Sequence, residues 1–147
     1  MSTPTLAKFG YPETMIRETD DWIVMLRPQQ VTLGSLVLAS REPVQQFGAV
    51  SDAGFGALGP IVRQIETTLT RFVAYEKINY LMLMMVDPDV HFHVIPRYSG
   101  EREFGGLAFP DAGWPGPPNL GAAVDPGPEG LRALVEALRE AWADPAE

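Results

Sequence analysis

The chain has 147 residues, no cysteine, 46% hydrophobic and 20% charged residues, and a formal net charge of −8. That balance fits one globular domain large enough to bury a core without disulfides, and it excludes a thiolate nucleophile or a Cys-based zinc site. The acidity argues against nonspecific nucleic-acid or anionic-membrane binding, although a few local Arg residues can still hold a small phosphorylated ligand. The first residues, "MSTPTLAKFGYPETM", lack a basic start followed by an apolar core, and no apolar run approaches the ~18 residues of a membrane span. A cytoplasmic location is the expectation.

In chain order, Thr14 to Glu18 fits a short strand closed by the polar turn "TDD". "WIVML" (Trp22 to Leu26) and "GSLVLAS" (Gly34 to Ser40) read as buried strands joined by a turn containing Pro28 and Gly34. From Ser51 to Lys77 the spacing of Phe55, Leu58, Val62, Ile65, Leu69 and Phe72 predicts a helix with one narrow apolar stripe. Ser51 or Asp52 can cap it. Pro60 predicts either a kink or a helix start at that point. The stripe can pack on a sheet or on a second copy of the chain.

Ile78 to Val86 predicts a long buried strand, "DPD" a tight turn, and Val90 to Tyr98 the returning strand of a hairpin, with Pro96 at its end or at an unpaired edge position. Gly and Pro then crowd the stretch from Gly100 to Gly130. It can be neither a regular helix nor a central strand. It is too apolar for a solvated linker, so it should lie on the folded body, as a lid or at a dimer interface. A last helix follows, with Leu131, Leu134, Val135, Leu138 and Trp142 on one face and Pro128 near its start. The expected fold is α+β: an antiparallel sheet of about five strands with one long helix and a C-terminal helix. Residues 1–100 form the core of the domain, and 101–147 supply the Gly/Pro-rich loop and the C-terminal helix packed on it.

The chemistry concentrates in "DPDVHFHVIPRY", which holds both histidines of the chain. Side chains alternate along a strand. Asp89, His91, His93 and Arg97 therefore share one face, while Val90, Phe92, Val94 and Tyr98 share the other. Three readings fit this row. The histidines can be semi-exposed residues of a solvated face. Asp89, His91 and His93 can form a metal site, though zinc sites normally take three or four protein ligands. Or one imidazole can be a nucleophile on phosphorus, with its neighbour and Arg97 neutralising phosphate oxygens.

"VHFHVIPR" resembles the signature of the histidine triad family of nucleotide hydrolases and transferases. That signature has three His at alternate positions separated by hydrophobic residues, often followed by Pro-Arg. The order of elements from Trp22 to Tyr98 is also similar, and "WPGP" resembles the Trp-Pro-rich tail of bacterial members. The resemblance implies that His91 is the nucleophile and His93 the last His of the triad. His93 and Arg97 then contact phosphate, with Arg27 and Arg102 as weaker candidates. The first triad position holds Asp89 instead of His. In the family the nucleophile is oriented through a backbone carbonyl near that position, which an Asp can preserve. The Asp89 side chain can alternatively contact the His91 ring, fixing its tautomer and favouring imidazolium.

The implied activity is hydrolysis of a dinucleoside polyphosphate or nucleoside phosphoramidate through a nucleotidyl-histidine, with no obligatory metal or other cofactor. The implied assembly is a homodimer. The alternatives are a nonhydrolytic nucleotide-binding or regulatory protein on the same scaffold, and a metal-dependent enzyme using Asp89, His91 and His93. Trp22, Ile23, Met25 and Leu36 are candidates for contacts with the base because the family places it near the early strands. Trp114 can stack on a base or pin its own loop.

Overall fold

The computed structural model describes residues 3–143. Thr3 caps a short helix, α1 (Pro4–Lys8), its hydroxyl accepting from the Leu6 amide. Three strands follow: β1 (Met15–Glu18), β2 (Trp22–Leu26) and β3 (Leu36–Ser40). The long helix is α2 (Asp52–Val73), and after it come β4 (Lys77–Leu81) and β5 (His91–Arg97). A hairpin of β6 (Glu101–Phe104) and β7 (Leu107–Pro110) and a final helix α3 (Gly127–Ala141) complete the order. The main sheet is antiparallel and five-stranded, in the order β1-β2-β3-β5-β4. This is the expected α+β architecture. No helix among the described residues is long and apolar enough to cross a membrane.

The unbroken apolar runs of β2 and β3 have a simple cause: both faces of these strands are covered, so alternation is lost. On one face Trp22, Val24, Leu26, Leu36, Leu38 and Val94 pack with Ile61, Ile65, Leu69 and Val73 of α2. On the other, Ile23, Met25, Val37 and Ala39 pack with Leu6 and Phe9 of the α1 segment. Phe109, Leu134, Val135 and Leu138 belong to the α2-side cluster, so the chain beyond residue 100 shares that core.

Several boundaries differ from expectation. Helix α2 runs through Pro60 without a break, and Ser51 caps it by accepting from the Gly54 amide. Pro60 is exposed and its residue lacks only one amide donor. The helix ends at Val73 instead of Lys77, because Ala74 turns left-handed (φ 48°) and Arg102 donates to the Val73 and Ala74 carbonyls. Its buried face is Ile61, Ile65, Thr68, Leu69 and Val73, while Phe55 is 39% exposed. The apolar positions are therefore split between a buried face and a half-exposed flank.

Strand β4 is shorter than expected: it stops at Leu81, and residues 82–90 form a loop. Leu83, Met85 and Val86 of that loop are exposed. Strand β5 continues through Pro96, which pairs with Ile78 of β4. The β3 ladder ends at the Leu36–Val94 pair, so Pro96 lies beyond it. The Gly/Pro-rich stretch contains the β6–β7 hairpin. Its two-residue turn is Gly105–Gly106, both at positive φ, as a tight hairpin turn requires.

Candidate active site

The sheet register puts the two histidines in rows that are otherwise apolar. Met25 pairs with Val37 and Val37 with His93, while Ile23 pairs with Ala39 and Ala39 with His91. Both imidazoles thus lie on the α1 side of the sheet. β4 ends opposite His93, with the Leu81–His93 pair as its last. Beyond that point His91 has no strand neighbour on one side, and the 82–90 loop forms a wall instead. Neither histidine is on a solvated face: His91 is 1% exposed and His93 9%.

The resulting cavity has a volume of about 400 Å³. His91, His93 and Phe9 line it from the sheet and α1 side, and Arg27, Pro28 and Gln29 from the β2–β3 connection. Leu83 to Asp87 form the opposite wall, and Lys8 and Leu120 complete the lining. Leu120 arrives there because the late loop is tied to the β2–β3 connection by paired backbone bonds between Gln30 and Val124. Lys8 Nζ bonds Asp87 across the rim at 3.0 Å, an exposed pair of small energetic weight.

Hydrogen bonding assigns the two tautomers. His91 Nδ1 lies 2.7 Å from the Asp89 backbone oxygen. A carbonyl only accepts, so Nδ1 carries a proton, and in the neutral form of the ring Nε2 holds the lone pair. His93 Nδ1 accepts from Arg27 Nε at 3.3 Å, which leaves the His93 proton on Nε2. Arg27 is held by a further bond from Nη1 to the Gln29 carbonyl at 2.6 Å. Burial, then the Arg27 charge and His91, push the His93 pKa down to about 4, with Asp87 pulling the other way. His93 is therefore neutral at neutral pH. Burial also lowers the Arg27 pKa, but a guanidinium stays charged throughout the physiological range. One imidazole thus offers a lone pair beside a second that offers an N–H, next to a fixed cation.

Asp89 is 6% exposed and contributes through its backbone. Its carboxylate accepts from the Thr5 amide at 3.3 Å and the Thr5 hydroxyl at 2.8 Å. The expected alternative, a carboxylate holding the His91 ring, is not what the geometry holds, because the ring nitrogen bonds the carbonyl. Nor do three His, Asp or Glu side chains converge as a metal site among the described residues.

Arg97 is the clearest departure from expectation. It shares the histidine face but lies about 13 Å along the strand from His93. It is buried and fully engaged: Nε and Nη2 donate to the two Asp111 oxygens at 2.7 and 3.0 Å, Nη1 to Asn79 and Nη2 also to the Gly116 carbonyl. It pins the Gly/Pro-rich segment and does not line the histidine cavity. Arg102 is likewise remote, capping α2 and stacking on Tyr98 at 4.4 Å. Trp22, Ile23, Met25 and Leu36 are at most 1% exposed and have no free surface for a base. The Trp22 indole donates to the Gly54 carbonyl inside the core. Trp114 lines a separate cleft with Lys77, Asn79 and Arg97.

The sequence reading did not identify Lys8, Phe9, the 83–87 loop or Leu120. No local pattern marks these residues, because only the long-range docking of α1 and of the late loop brings them to the histidines. The composition of "LMLMMV" was the available signal, since a half-exposed run of that kind suits a cavity wall as well as a strand.

No family model matches the chain, and no curated protein matches it in sequence. Solved structures do match. A histidine triad protein from Sinorhizobium meliloti superposes with a TM-score of 0.71 at 21% identity, covering 95% of each chain. One from Bradyrhizobium japonicum gives 0.70 at 17% identity, covering 97% of this chain and 98% of that one. A hypothetical histidine triad nucleotide-binding protein from Sulfolobus tokodaii gives 0.65 at 16% identity, over 87% of this chain and 82% of that one. The chain has the fold of histidine triad proteins.

Proposed function

We propose that this chain is a divergent histidine triad nucleotide hydrolase that cleaves a nucleoside phosphoramidate or dinucleoside polyphosphate through a nucleotidyl-His91 intermediate. One observation carries the reading: His91 Nδ1 is bonded to a backbone carbonyl, which makes Nε2 the lone-pair nitrogen of the neutral ring, in a cavity shared with His93 and Arg27. Nε2 attacks the α-phosphorus and expels the leaving group, and the carbonyl of Asp89 stabilises the charge that develops on the ring. His93 donates its Nε2 proton as a hydrogen bond to a phosphate oxygen. Arg27 supplies the positive charge on the phosphate, the role that strand alternation alone would give to Arg97. Water then cleaves the N–P bond, releasing the nucleoside monophosphate and the neutral imidazole. The apolar wall of Leu83 to Val86, with Phe9 and Leu120, suits a base or an apolar leaving group.

The test is a screen of nucleoside phosphoramidates and dinucleoside polyphosphates with mass spectrometry of the intact protein. A mass increase of one nucleotidyl group that disappears in His91→Ala supports the mechanism. Tight nucleotide binding with neither turnover nor adduct across the screen would replace it with a nonhydrolytic nucleotide-binding role.

The same reading includes a homodimer formed through α2 and β4. Two features support it. The outer edge of β4 pairs with no other strand among the described residues. Beside it lies an apolar cleft lined by Leu38, Leu58, Val62, Tyr80 and Phe92, flanked by the exposed rings of Phe47 and Phe55.

A further inference from the structure

Helix α1 has five residues, too few to persist as an isolated helix. Besides the exposed Lys8–Asp87 pair at the rim, two buried contacts outside the helix hold it. Leu6 is fully buried in the cluster of Ile23 and Val37. Thr5 donates twice to one oxygen of Asp89, from its amide and its hydroxyl, across 84 residues of chain. At the other end of the segment the Phe9 ring sits 5.8 Å from the His91 ring and 5.7 Å from the His93 ring, edge-on to the latter. The Asp89 residue therefore reaches the imidazoles by two routes. Its carbonyl bonds His91 directly, and its carboxylate acts at a distance through α1.

We propose that Asp89 is a positioning residue acting through α1: its carboxylate latches the helix, and the latched helix holds Phe9 over both imidazoles and keeps water from them. The position that lacks a histidine thus carries a separate device, built from residues 84 positions apart in the chain. The inference takes the histidine cavity to be the reactive site, but its test reads an equilibrium property of the imidazoles and requires no turnover.

The sign of one measurement separates a latch from a direct charge effect. The charged and titratable groups facing His93 are Arg27 from the β2–β3 connection, Lys8 from α1, Asp87 from the β4–β5 loop and His91 on its own strand. If Asp89 acted on the histidines as a charge, removing it would disfavour imidazolium and lower their pKa values. If it acts as a latch, removing it lets Phe9 lift, admits water and raises the His93 pKa from about 4 toward its ordinary 6.5. Release of Lys8 with α1 works in the same upward direction.

The experiment is an NMR titration of both histidines in the full chain, comparing the parent with Thr5→Val, Asp89→Asn, Phe9→Ala and the Asp89→Asn/Phe9→Ala double variant. Thr5→Val changes no charge and remains informative if Asp89→Asn folds poorly. Each single variant should raise the His93 pKa by about one unit or more. The double variant should move it no further than Phe9→Ala does alone, since both substitutions remove the same shield. Amide exchange over residues 5–9 should accelerate in Thr5→Val and Asp89→Asn. An unmoved His93 in Thr5→Val, a fall in Asp89→Asn, or additive shifts in the double variant would overturn the proposal. Failure to find any substrate would count against the hydrolase reading and leave these titrations unaffected.

Discussion

His91 and Arg97 share one face of β5 but have different neighbours, so substitutions at the two positions should fail in different ways. His91→Ala removes the nucleophile while the strand keeps both ladders. Turnover should fall at least about 10³-fold with a native far-UV spectrum. Arg97→Gln instead leaves Asp111 buried without its partner, and should cost about 3 kcal/mol of stability in urea denaturation. Arg27→Gln should fall between them, lowering kcat/KM by about 10–100-fold with little loss of stability, because its charge faces the cavity. His93 adds a pH dependence. Its unfolded pKa is the ordinary 6.5 and its folded value about 4, so between these limits the unfolded chain binds more protons. Its contribution to stability is complete above pH 6.5 and declines as pH falls toward 4, by up to about 3 kcal/mol. Denaturation midpoints measured from pH 7 to pH 4 should fall more steeply in the parent than in His93→Gln.

At the scale of elements, the helix and the turns tolerate different residues for different reasons. Pro60 lies on the exposed side of α2. Pro60→Ala restores a helical hydrogen bond and should stabilise the protein by about 1–3 kcal/mol, read as a higher Tm. Gly34 is the opposite case. It sits at φ +89°, and an added Cβ would lie 3.1 Å from Leu69 Cδ2 and 3.6 Å from Pro96 Cγ. Gly34→Ala combines left-handed strain with crowding at the α2–sheet contact and should cost about 1–3 kcal/mol. The turn before β3 also places Arg27 through Gln30, whose side-chain amide donates to the Arg27 and Ser35 carbonyls. The connection that delivers the cation is therefore held by a buried side-chain amide as well as by its paired backbone bonds to Val124.

For the molecule as a whole, the late chain serves the core twice. Asp111 and Gly116 tie the Gly/Pro-rich segment to Arg97, and the Tyr98 hydroxyl accepts from the Leu33 amide and donates to the Phe109 carbonyl. Helix α3 then closes on α2 and β1, with Trp142 donating to Gln64 and Arg139 to the Met15 carbonyl. Apart from the histidine cavity wall and Leu107, the exposed large apolar side chains are Phe47 and Phe55, beside the cleft of Leu58, Val62 and Tyr80. A homodimer through that face should sediment as a single species of twice the chain mass at micromolar concentration, and Phe55→Glu should shift it toward monomer. A parent that stays monomeric would remove the assembly from the proposal without touching the site.

Strand alternation and apolar runs were enough to reach the α+β fold, the order of the main-sheet strands in the chain and the pairing of both histidines on one face. Those are local properties: side chains repeat every two residues in a strand, and β2 and β3 carry their burial in their own composition. The small β6–β7 hairpin is not among the sequence expectations, although Gly105–Gly106 between two short runs is a turn signal. Alternation could not say how far along the face a partner lies. That is why Arg97, correctly placed on the histidine face, is bonded to Asp111 instead of lining the cavity. Early-strand residues such as Trp22 and Met25 could not be separated from cavity residues either, because an apolar side chain reads the same in a core and in a pocket. Tertiary structure decided which cation meets His93, which atom of Asp89 meets His91, and that Phe9 meets both rings. Each depends on closing a long loop of chain, and no local periodicity encodes which distant segment will arrive there.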